Sequence, residues 1–447
     1  MSVETRHPDY EAFASEWREM RDTYGGARLV KKAGEHYLPM PGGFRAQPDN
    51  GDAMYSAYQR RAQFPELVAP TVRGMIGVIH GTEWQITMPD ALMQIWERAT
   101  KDGMSLEAFS RRITSEILIA GRYGVLVDLP REGGEVPYLA GYSAETIINW
   151  SADRDLFVLD EAGLAREGFR WAEKEAWRVL ELVDGAYQQR YYNSLTSSEE
   201  VPINGRAGVR LDEIPFVVLG SRDINVEVEE PPLIGVARAA LAYYRLDADY
   251  RHQLYNSGQE TLFIFNGEAP AYVGAGVVHV LDSPQGMQSD ARYVGPSGKT
   301  IDAHRTAMLD ERTNAAQAGA KLFQDGGQAQ ESGEARRLRF GAETATLRSI
   351  AQTSAAGLEK ALRYAARMIG ADESEVVVTP PTRLLEPVMN AQEALALVNA
   401  WQNGAFSYQT LYENLQRGQI ASAERDHEAE MSMIDAMQFM DEPVTQV

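Results

Sequence analysis

The sequence predicts an α+β fold that is mainly helical. Both ends of the chain carry apolar residues three or four positions apart, a spacing typical of amphipathic helices. Between residues 138 and 219 the pattern changes to short runs of β-branched and aromatic residues, separated by turn sequences such as Asp184-Gly185 and Asn204-Gly205. These runs predict a twisted antiparallel sheet. The stretch from Thr300 to Gly370 returns to helix, and the rest of the chain is organised around it.

The composition fits a folded chain of several domains. Its 447 residues exceed what one compact core usually holds, so we expect about two to four domains. The chain is 44% hydrophobic and 24% charged, with a mean hydropathy of −0.35, as in ordinary globular proteins. It has no cysteine, which excludes disulfides, Cys-based zinc sites and thiol catalysis. No apolar run approaches the roughly 20 residues of a membrane helix, and the N-terminus has no signal-peptide core.

The charge is strongly negative and uneven. The formal net charge is −21, from 43 Lys and Arg against 64 Asp and Glu. Residues 371–447 are the most acidic part, whereas residues 334–369 carry more bases than acids. Proteins that bind DNA tightly are usually basic, at least locally, and an acidic surface repels DNA. The uneven charge most often indicates solvated faces or subunit contacts.

Local signals place the N-terminal elements. Pro8 suits the first turn of a helix, and Gly25-Gly26 ends that helix. Ser105 supplies the N-cap of another helix, which runs to Gly121. Apolar spacing predicts further helices at residues 53–61, 64–81 and 91–101, and strands at residues 82–88 and 122–129.

Short strands are predicted through the β region, followed by a helix and a second β segment. The strands are expected at residues 147–150, 156–159, 168–171, 176–183, 187–192 and 214–219. Pro231-Pro232 opens a helix over residues 233–257, which Gly258 ends, and residues 261–299 return to strands and turns. Near the C-terminus we expect a strand at residues 376–378 and helices at residues 391–402, 407–417 and 422–437.

Two helices joined by a polar loop make up the stretch from Thr300 to Gly370. The first covers about residues 302–323, and its apolar face is expected to hold Ile301, Met308, Leu309, Ala315, Ala316, Leu322 and Phe323. Residues 324–333 form the loop, which is longer than most loops between packed helices. The second helix covers about residues 334–369, and its small residues, including Gly357, allow close packing, either in an ordinary core or against other copies.

Two glycine-rich segments fall short of nucleotide-binding motifs. Residues 295–300, Gly-Pro-Ser-Gly-Lys-Thr, end like a phosphate-binding loop, but Tyr293 occupies the position of the required first glycine. Gly274-Ala275-Gly276 is too short for a dinucleotide-binding fingerprint. We therefore expect neither nucleotide site.

The charged side chains also do not form a catalytic or metal-binding pattern. His427 lies among acids, which is more typical of a surface than of a metal site. Asp247 and Asp249 are two positions apart on a predicted helix, so their side chains should point apart. We predict no enzymatic activity, no catalytic residues, no cofactor and no metal.

The chain resembles the portal proteins of tailed bacteriophages, in particular a group catalogued as a domain of unknown function in phage structural clusters. Three segments carry the resemblance: residues 231–267, from Pro231-Pro232 to the sequence TLFIFNG; residues 291–322, from ARYVGPSG to GAKL; and the polar loop followed by residues 343–370. Residues 78–81 and 119–124 add N-terminal matches. The likeness covers most of the chain in element order.

The resemblance implies the parts of a portal subunit. These would be a wing (residues 1–230), a first stem helix (231–258), a small β clip (259–300), a second stem helix (301–323), a tunnel loop (324–333), a long helix that connects wing and crown (334–370) and an acidic helical crown (371–447). It also implies a virion protein at the capsid portal vertex, assembled in the host cytoplasm. Its copies would form a ring, usually of twelve, around a DNA channel.

The resemblance further implies partners and site residues. The partners would be other copies of the chain, double-stranded DNA in transit without sequence specificity, the large terminase, a head–tail adaptor and the major capsid or scaffold protein, with no membrane. The tunnel-loop residues facing DNA would be Gln324, Asp325, Gly326, Gly327, Gln328, Gln330 and Glu331. The stem residues facing the channel or a neighbouring subunit would be Lys299, Arg305, Arg312 and Lys321. A conduit must let DNA slide, and this loop offers DNA little grip.

Two alternatives stay open. A nucleotide-dependent packaging enzyme is disfavoured by the incomplete phosphate-binding loop. The second alternative is another helical virion or scaffold protein that never contacts DNA. A ring with an open channel separates the portal from both.

Overall fold

The computed structural model has the predicted α+β fold, with helices and small antiparallel sheets. It describes residues 2–81, 84–130, 136–194, 197–202, 211–258, 261–266, 286, 288–294, 300–319, 333–381, 391–418, 420–422 and 425–440. The chain divides into two compact units, Met1–Pro381 and Thr382–Val447.

The first unit begins with helices. In chain order the elements are α1 (Pro8–Tyr24), α2 (Ala27–Lys32), α3 (Asp52–Arg61), α4 (Val68–Ile79), β1 (Gln85–Thr87), α5 (Gln94–Glu97) and α6 (Leu106–Ala120). The predicted signals act where expected. Ser105 caps α6 by accepting a hydrogen bond from the backbone N–H of Ala108, and Gly121 ends it with a φ of 70°.

The β region forms three antiparallel sheets. Its strands are β2 (Arg122–Asp128), β3 (Tyr138–Ser143), β4 (Ile147–Trp150), β5 (Leu156–Asp160), β6 (Gly163–Glu167), β7 (Arg170–Lys174), β8 (Trp177–Val183), β9 (Ala186–Ser194), β10 (Ser197–Pro202) and β11 (Phe216–Gly220). One sheet has the order β10-β9-β8-β5-β4, another has the order β11-β2-β3, and β6 pairs with β7. The antiparallel sheet predicted from sequence is thus confirmed.

The remainder of the first unit alternates long helices with short strands. Its elements are α7 (Ile234–Ser257), β12 (Thr261–Phe265), β13 (Asp290–Val294), α8 (Ile301–Ala318), α9 (Gly333–Ile369) and β14 (Val377–Thr379). β12 pairs with β13, and β14 pairs with β1. α9 packs against β2, β11 and α6, so the core of this unit lies between the three-stranded sheet and these helices.

The second unit consists of helices in its described part. These are α10 (Ala391–Gln402), α11 (Tyr408–Arg417) and α12 (His427–Met440). α11 begins after Ser407, whose side chain accepts a hydrogen bond from the backbone N–H of Thr410, and it buries Leu411 and Tyr412. α12 begins five residues later than the predicted start at Ser422.

Two elements were predicted wrongly. The helix expected at residues 91–101 is replaced by a short 3-10 turn and the single turn of α5, because the backbone of Ala99 bonds elsewhere: its N–H donates to Met104 O at 2.7 Å, and its carbonyl accepts from Leu139 N at 2.7 Å. The strand expected at residues 168–171 includes a hairpin turn instead, where Gly168 has a φ of 64°.

Two helix boundaries also differ from prediction. The buried helix begins at Val68 rather than Phe64, because the residue before Pro65 is disfavoured in helix. α8 ends at Ala318, where Gly319 has a φ of 150°, so the predicted end at Phe323 is wrong within the described residues. The pairing of β14 with β1 places residues up to Pro381 in the first compact unit.

Candidate functional site

Helices α7 and α8 lie antiparallel, and we call them the helix pair. At one end a Cβ added to Gly235 would lie 2.9 Å from the Cβ of Ala318, so the glycine allows close approach. At the other end the hydroxyl of Thr300 donates to Gln253 Oε1 at 2.9 Å, and Gln253 Nε2 lies 3.1 Å from His304 Nε2. We call this second end, together with β12 and β13, the far end.

The middle of α7 is anchored in a hydrophobic core. Ala240, Leu241 and Tyr244 are buried against side chains from the segment between α2 and α4. That segment supplies Val30, Tyr37, Leu38, Phe44, Tyr58, Ala62 and Phe64. Burying one leucine-sized side chain contributes about 1.5–3 kcal/mol, so this core holds the near part of the helix pair firmly.

Asp247 and Asp249 have separate partners, as their spacing predicted. The carboxylate of Asp247 is buried and accepts hydrogen bonds from Arg251 Nε at 2.8 Å and from the backbone N–H of Gln63 at 2.6 Å. Asp249 accepts one from the hydroxyl of Tyr58 at 2.6 Å. Burial, together with this carboxylate, raises the pKa of Tyr58 well above its usual value. These carboxylates fix α7 to the core and do not form a catalytic pair.

The far end of the helix pair exposes large apolar side chains. Phe263 and Phe265 lie two positions apart on β12, so they share one face, and each is about half exposed. Tyr255, near the end of α7, is also exposed, and the guanidinium of Arg61 lies 3.7 Å from its ring centre. Large exposed apolar patches mark interaction sites in soluble proteins, so these side chains make the far end a candidate contact surface.

One exposed stripe of α8 combines two cations with a leucine. Arg305, Leu309 and Arg312 are four and three positions apart, so they lie on the same face, and all three are exposed. Neither arginine forms an ion pair with a carboxylate in the described part of the chain. Leu309 is 55% exposed, so its predicted place on the apolar face is wrong, whereas Met308, Ala315 and Ala316 are buried as predicted. α7 packs against this helix.

The other predicted site residues lie outside the described residues. This holds for Lys299 and Lys321 on the predicted stem. It also holds for the predicted tunnel loop, with Gln324, Asp325, Gly326, Gly327, Gln328, Gln330 and Glu331, and for most of the predicted clip. Their roles therefore stay predictions.

The second long helix, α9, packs within its own chain. Leu347, Ile350, Leu358 and Leu362 are buried, as the apolar spacing predicted. A Cβ added to Gly357 would lie 2.1 Å from Leu219 Cδ2 of β11, so only glycine fits there. Close approach through small residues is thus confirmed, but along this half of α9 the neighbour is the chain's own sheet rather than another copy.

Several basic residues of α9 line a groove that the sequence did not indicate. Its volume is about 710 Å³. Arg363 pairs with Glu359 at 2.7 Å, and Arg367 pairs with Glu373 at 3.1 Å. Burial lowers the pKa of Lys360, which also lines the groove. The sequence showed only the bases of this groove, which stand three or four positions apart. Another part of the groove is Glu213, 154 residues before Arg367, and no local pattern indicates that contact.

The described residues contain neither a membrane-spanning helix nor a metal-binding cluster. No helix there is both long and apolar enough to cross a membrane. No group of three or more His, Asp and Glu side chains there is placed to bind a metal ion.

Two solved structures show a distant likeness to this chain. One is a chain described as "Neck of empty GTA particle computed with C6 symmetry", with 13% identity, a TM-score of 0.42, and coverage of 82% of this chain and 93% of that chain. The other is described as "Virion of native gene transfer agent (GTA) particle", with 13% identity, a TM-score of 0.44, and coverage of 87% of this chain and 98% of that chain. No curated protein matches.

A family model matches one continuous part of the chain. Residues 232–369 match the family described as "Domain of unknown function (DUF4055)". The match begins two residues before α7 and ends at the last residue of α9. The matched residues include the helix pair, β12, β13 and α9.

Proposed function

We propose that this protein is a structural component of a phage-like virion and, more specifically, its portal subunit. Its copies would form a ring at a capsid vertex, through which DNA passes during packaging and ejection. The ring would also attach the large terminase motor and a head–tail adaptor. This role is structural and needs no chemistry of its own.

The observation that carries the proposal is the uneven burial of the helix pair. Its near part is anchored in a hydrophobic core, while its far end exposes Phe263 and Phe265, and α8 exposes Leu309. Water does not favour such exposure, so a second surface is expected to cover these side chains. In a ring, the helix pairs of adjacent copies supply that surface. The resemblance to portal proteins implies that this helix pair is the stem of each subunit.

Electrostatics supports contacts between copies. Arg305 and Arg312 are exposed without a carboxylate partner among the described residues, on a chain of net charge −21. A neighbouring copy of so acidic a chain offers many carboxylates. Interface ion pairs of this kind guide orientation more than they add affinity.

The same acidity suits a conduit for DNA. Each phosphate contact with Lys or Arg adds affinity that depends on salt, so a channel with few such contacts lets DNA slide. We propose that residues 324–333, rich in Gln and Gly, face the DNA. The stem residues Lys299 and Lys321 would face either the channel or a neighbouring subunit.

Native mass spectrometry and negative-stain images of the full chain test the ring. We expect closed rings of about twelve copies with a central hole, as the resemblance implies. Replacing Phe263 and Phe265 together with Ser should yield smaller species. The control is Leu395→Ser, which changes an even more exposed apolar residue on α10. A wild-type chain that stays monomeric, alone and when coexpressed with capsid and scaffold proteins, would contradict the proposal.

A deletion tests the DNA-facing loop. Replacing residues 324–333 with a short Gly-Ser linker should leave rings intact but lower DNA packaging. Normal packaging by the deletion variant would remove the loop from the mechanism.

Substitutions in residues 284–296 test the clip. They should abolish binding of the terminase or the adaptor without dissolving the ring. Unchanged binding of both partners would show that the attachment site lies elsewhere.

A further inference from the structure

The hairpin of β6 and β7, which we call the arm, exposes its large apolar side chains. It forms a two-stranded sheet of its own, paired with no other described strand. Phe169, at its turn, is 99% exposed, and Trp171 is 65% exposed. Leu164 is exposed as well. A two-stranded hairpin is at best marginally stable alone in water, so a surface that covers these residues would stabilise the arm.

The geometry of the arm lets it reach outward. Its register runs from Gly163 opposite Lys174 to Glu167 opposite Arg170, and Gly168 supplies the left-handed turn residue. Five residues of strand span about 17 Å at roughly 3.4 Å per residue. The aromatic residues therefore lie at the outer end of the ribbon.

The arm carries one more base than acid, whereas the chain as a whole is strongly acidic. It carries Arg166, Arg170 and Lys174 against Glu167 and Glu173, on a chain of net charge −21. An acidic surface with some apolar area would complement it.

Such a surface exists on this chain. A pocket of about 530 Å³ lies where the N-terminal segment meets the five-stranded sheet. Its lining includes Glu4, Arg6, Glu11, Ile148, Asp160 and Trp177. The pocket thus sets three carboxylates and one cation around two apolar side chains, which are themselves mostly buried and offer only a small accessible area.

We propose that the arm of one copy docks into this acidic pocket of a second copy. An arm aromatic residue packs against Ile148 and Trp177, and Arg170 lies beside the carboxylates. Aromatic residues and arginine are the side chains that dominate binding energy at interfaces. In their own chain Phe169 and Trp171 are exposed, so they do not fill their own pocket.

The second copy is the favoured occupant because one chain carries both complementary surfaces. Arm and pocket are different surfaces, so their contact can repeat head to tail and close into a ring. In that respect the inference rests on the proposed ring, although the contact itself is testable between any two copies.

Disulfide trapping tests the contact directly, since the chain has no cysteine. A Phe169→Cys variant and a Glu4→Cys variant, with different tags, would be mixed and oxidised. We expect a disulfide-linked pair with one chain of each kind. The control pairs Phe169→Cys with Met93→Cys, an exposed site outside the pocket, and should give at least tenfold less product. Equal yields from the two mixtures would overturn the proposal.

Charge reversal gives an independent measurement. Arg170→Glu should weaken self-association about tenfold, and adding Glu4→Arg should restore most of the loss. Glu4 has no ion pair among the described residues, so this change leaves the Arg6–Glu11 pair intact. Loss without rescue would overturn the pocket as the receiving surface.

The two proposals fail in different ways. If wild-type rings form and Phe169→Ala with Trp171→Ala leaves their assembly unchanged, the arm is not an assembly contact and the portal proposal stands. If trapping between Phe169→Cys and Glu4→Cys succeeds while native mass spectrometry finds no ring, the arm contact stands and the portal proposal fails.

Discussion

The helix pair and α9 share a sequence pattern but differ in burial. Both carry apolar and small residues at helical spacing. From Leu347 onward α9 packs against the three-stranded sheet and α6, so its stripe is covered within the chain. α8 has α7 on one side and leaves Leu309 exposed on the other. Helical spacing of apolar residues therefore predicts a helix but not its burial. Only the exposure of Leu309 shows that the apolar residues of α8 are partly uncovered within one chain.

Truncating one leucine from each helix tests this comparison with the largest expected effect. Leu358→Ala on α9 should lower the free energy of unfolding by about 2–5 kcal/mol, because it leaves a cavity beside the sheet. Leu309→Ala on α8 should change it by less than about 0.5 kcal/mol and should weaken assembly instead. Denaturant unfolding measures the first quantity and native mass spectrometry the second. Equal destabilisation by both changes would break the comparison.

Substitutions at two glycines, one on α9 and one on α4, test the packing of α9 more sharply. Gly357→Ala should lower the free energy of unfolding by about 1–3 kcal/mol, because the new methyl group would overlap Leu219, which is fully buried. Gly77→Ala on α4 is the matched control, since nothing lies within 4 Å of its added Cβ. That control should be neutral or stabilising by up to about 1 kcal/mol. A tolerated Gly357→Ala would show that the sheet yields.

The buried contacts of α9 also make the stability of the fold depend on pH. His80 Nε2 lies 2.9 Å from the hydroxyl of Thr114, which lies 3.4 Å from that of Ser354 on α9. Burial lowers the pKa of His80 to about 4 from a usual value of 6.5. Between these values the unfolded state binds more protons, so stability should fall as the pH falls from about 6.5 to about 4.

Thermal unfolding of the wild type and His80→Gln across that range measures this contribution. The variant should lose part of the pH dependence, while its assembly at neutral pH stays unchanged. Identical pH profiles would mean that His80 is protonated equally in the folded and unfolded states.

The smallest effect on folding is expected from the exposed stripe. Arg305→Ala with Arg312→Ala should change the free energy of unfolding by less than about 0.5 kcal/mol. Self-association should nevertheless weaken several-fold at low salt and depend less on salt than that of the wild type, because screening acts on exposed charges. Sedimentation at two salt concentrations checks this. An unchanged salt dependence would exclude these arginines from the interface.

The sequence predicted elements whose signals are local. Ser105 and Gly121 bound α6 because a cap acts within one helical turn. The helix after Pro231-Pro232 was predicted to within one residue at its start for the same reason. The prediction that the side chains of Asp247 and Asp249 point apart is confirmed, because helical geometry alone separates residues that are two positions apart.

Features that depend on distant residues were missed. The helix expected at residues 91–101 fails because Ala99 bonds to Leu139, forty residues away. The pairing of β14 with β1 was not predicted, because no local sequence signal indicates such a long-range pair. The arm was missed as well. Phe169 is a residue type common in strands, so the sequence predicted a strand where Gly168 makes a turn. Exposure of Leu309 likewise depends on what lies across from it.

The contact between Gly357 and Leu219 has a mechanical consequence. Because the leucine occupies the space where a side chain would stand, α9 cannot slide along the sheet by one residue without a clash. The helix has 37 residues, about 55 Å at roughly 1.5 Å per residue. We therefore expect a displacement of α9 along its axis to move β11 with it.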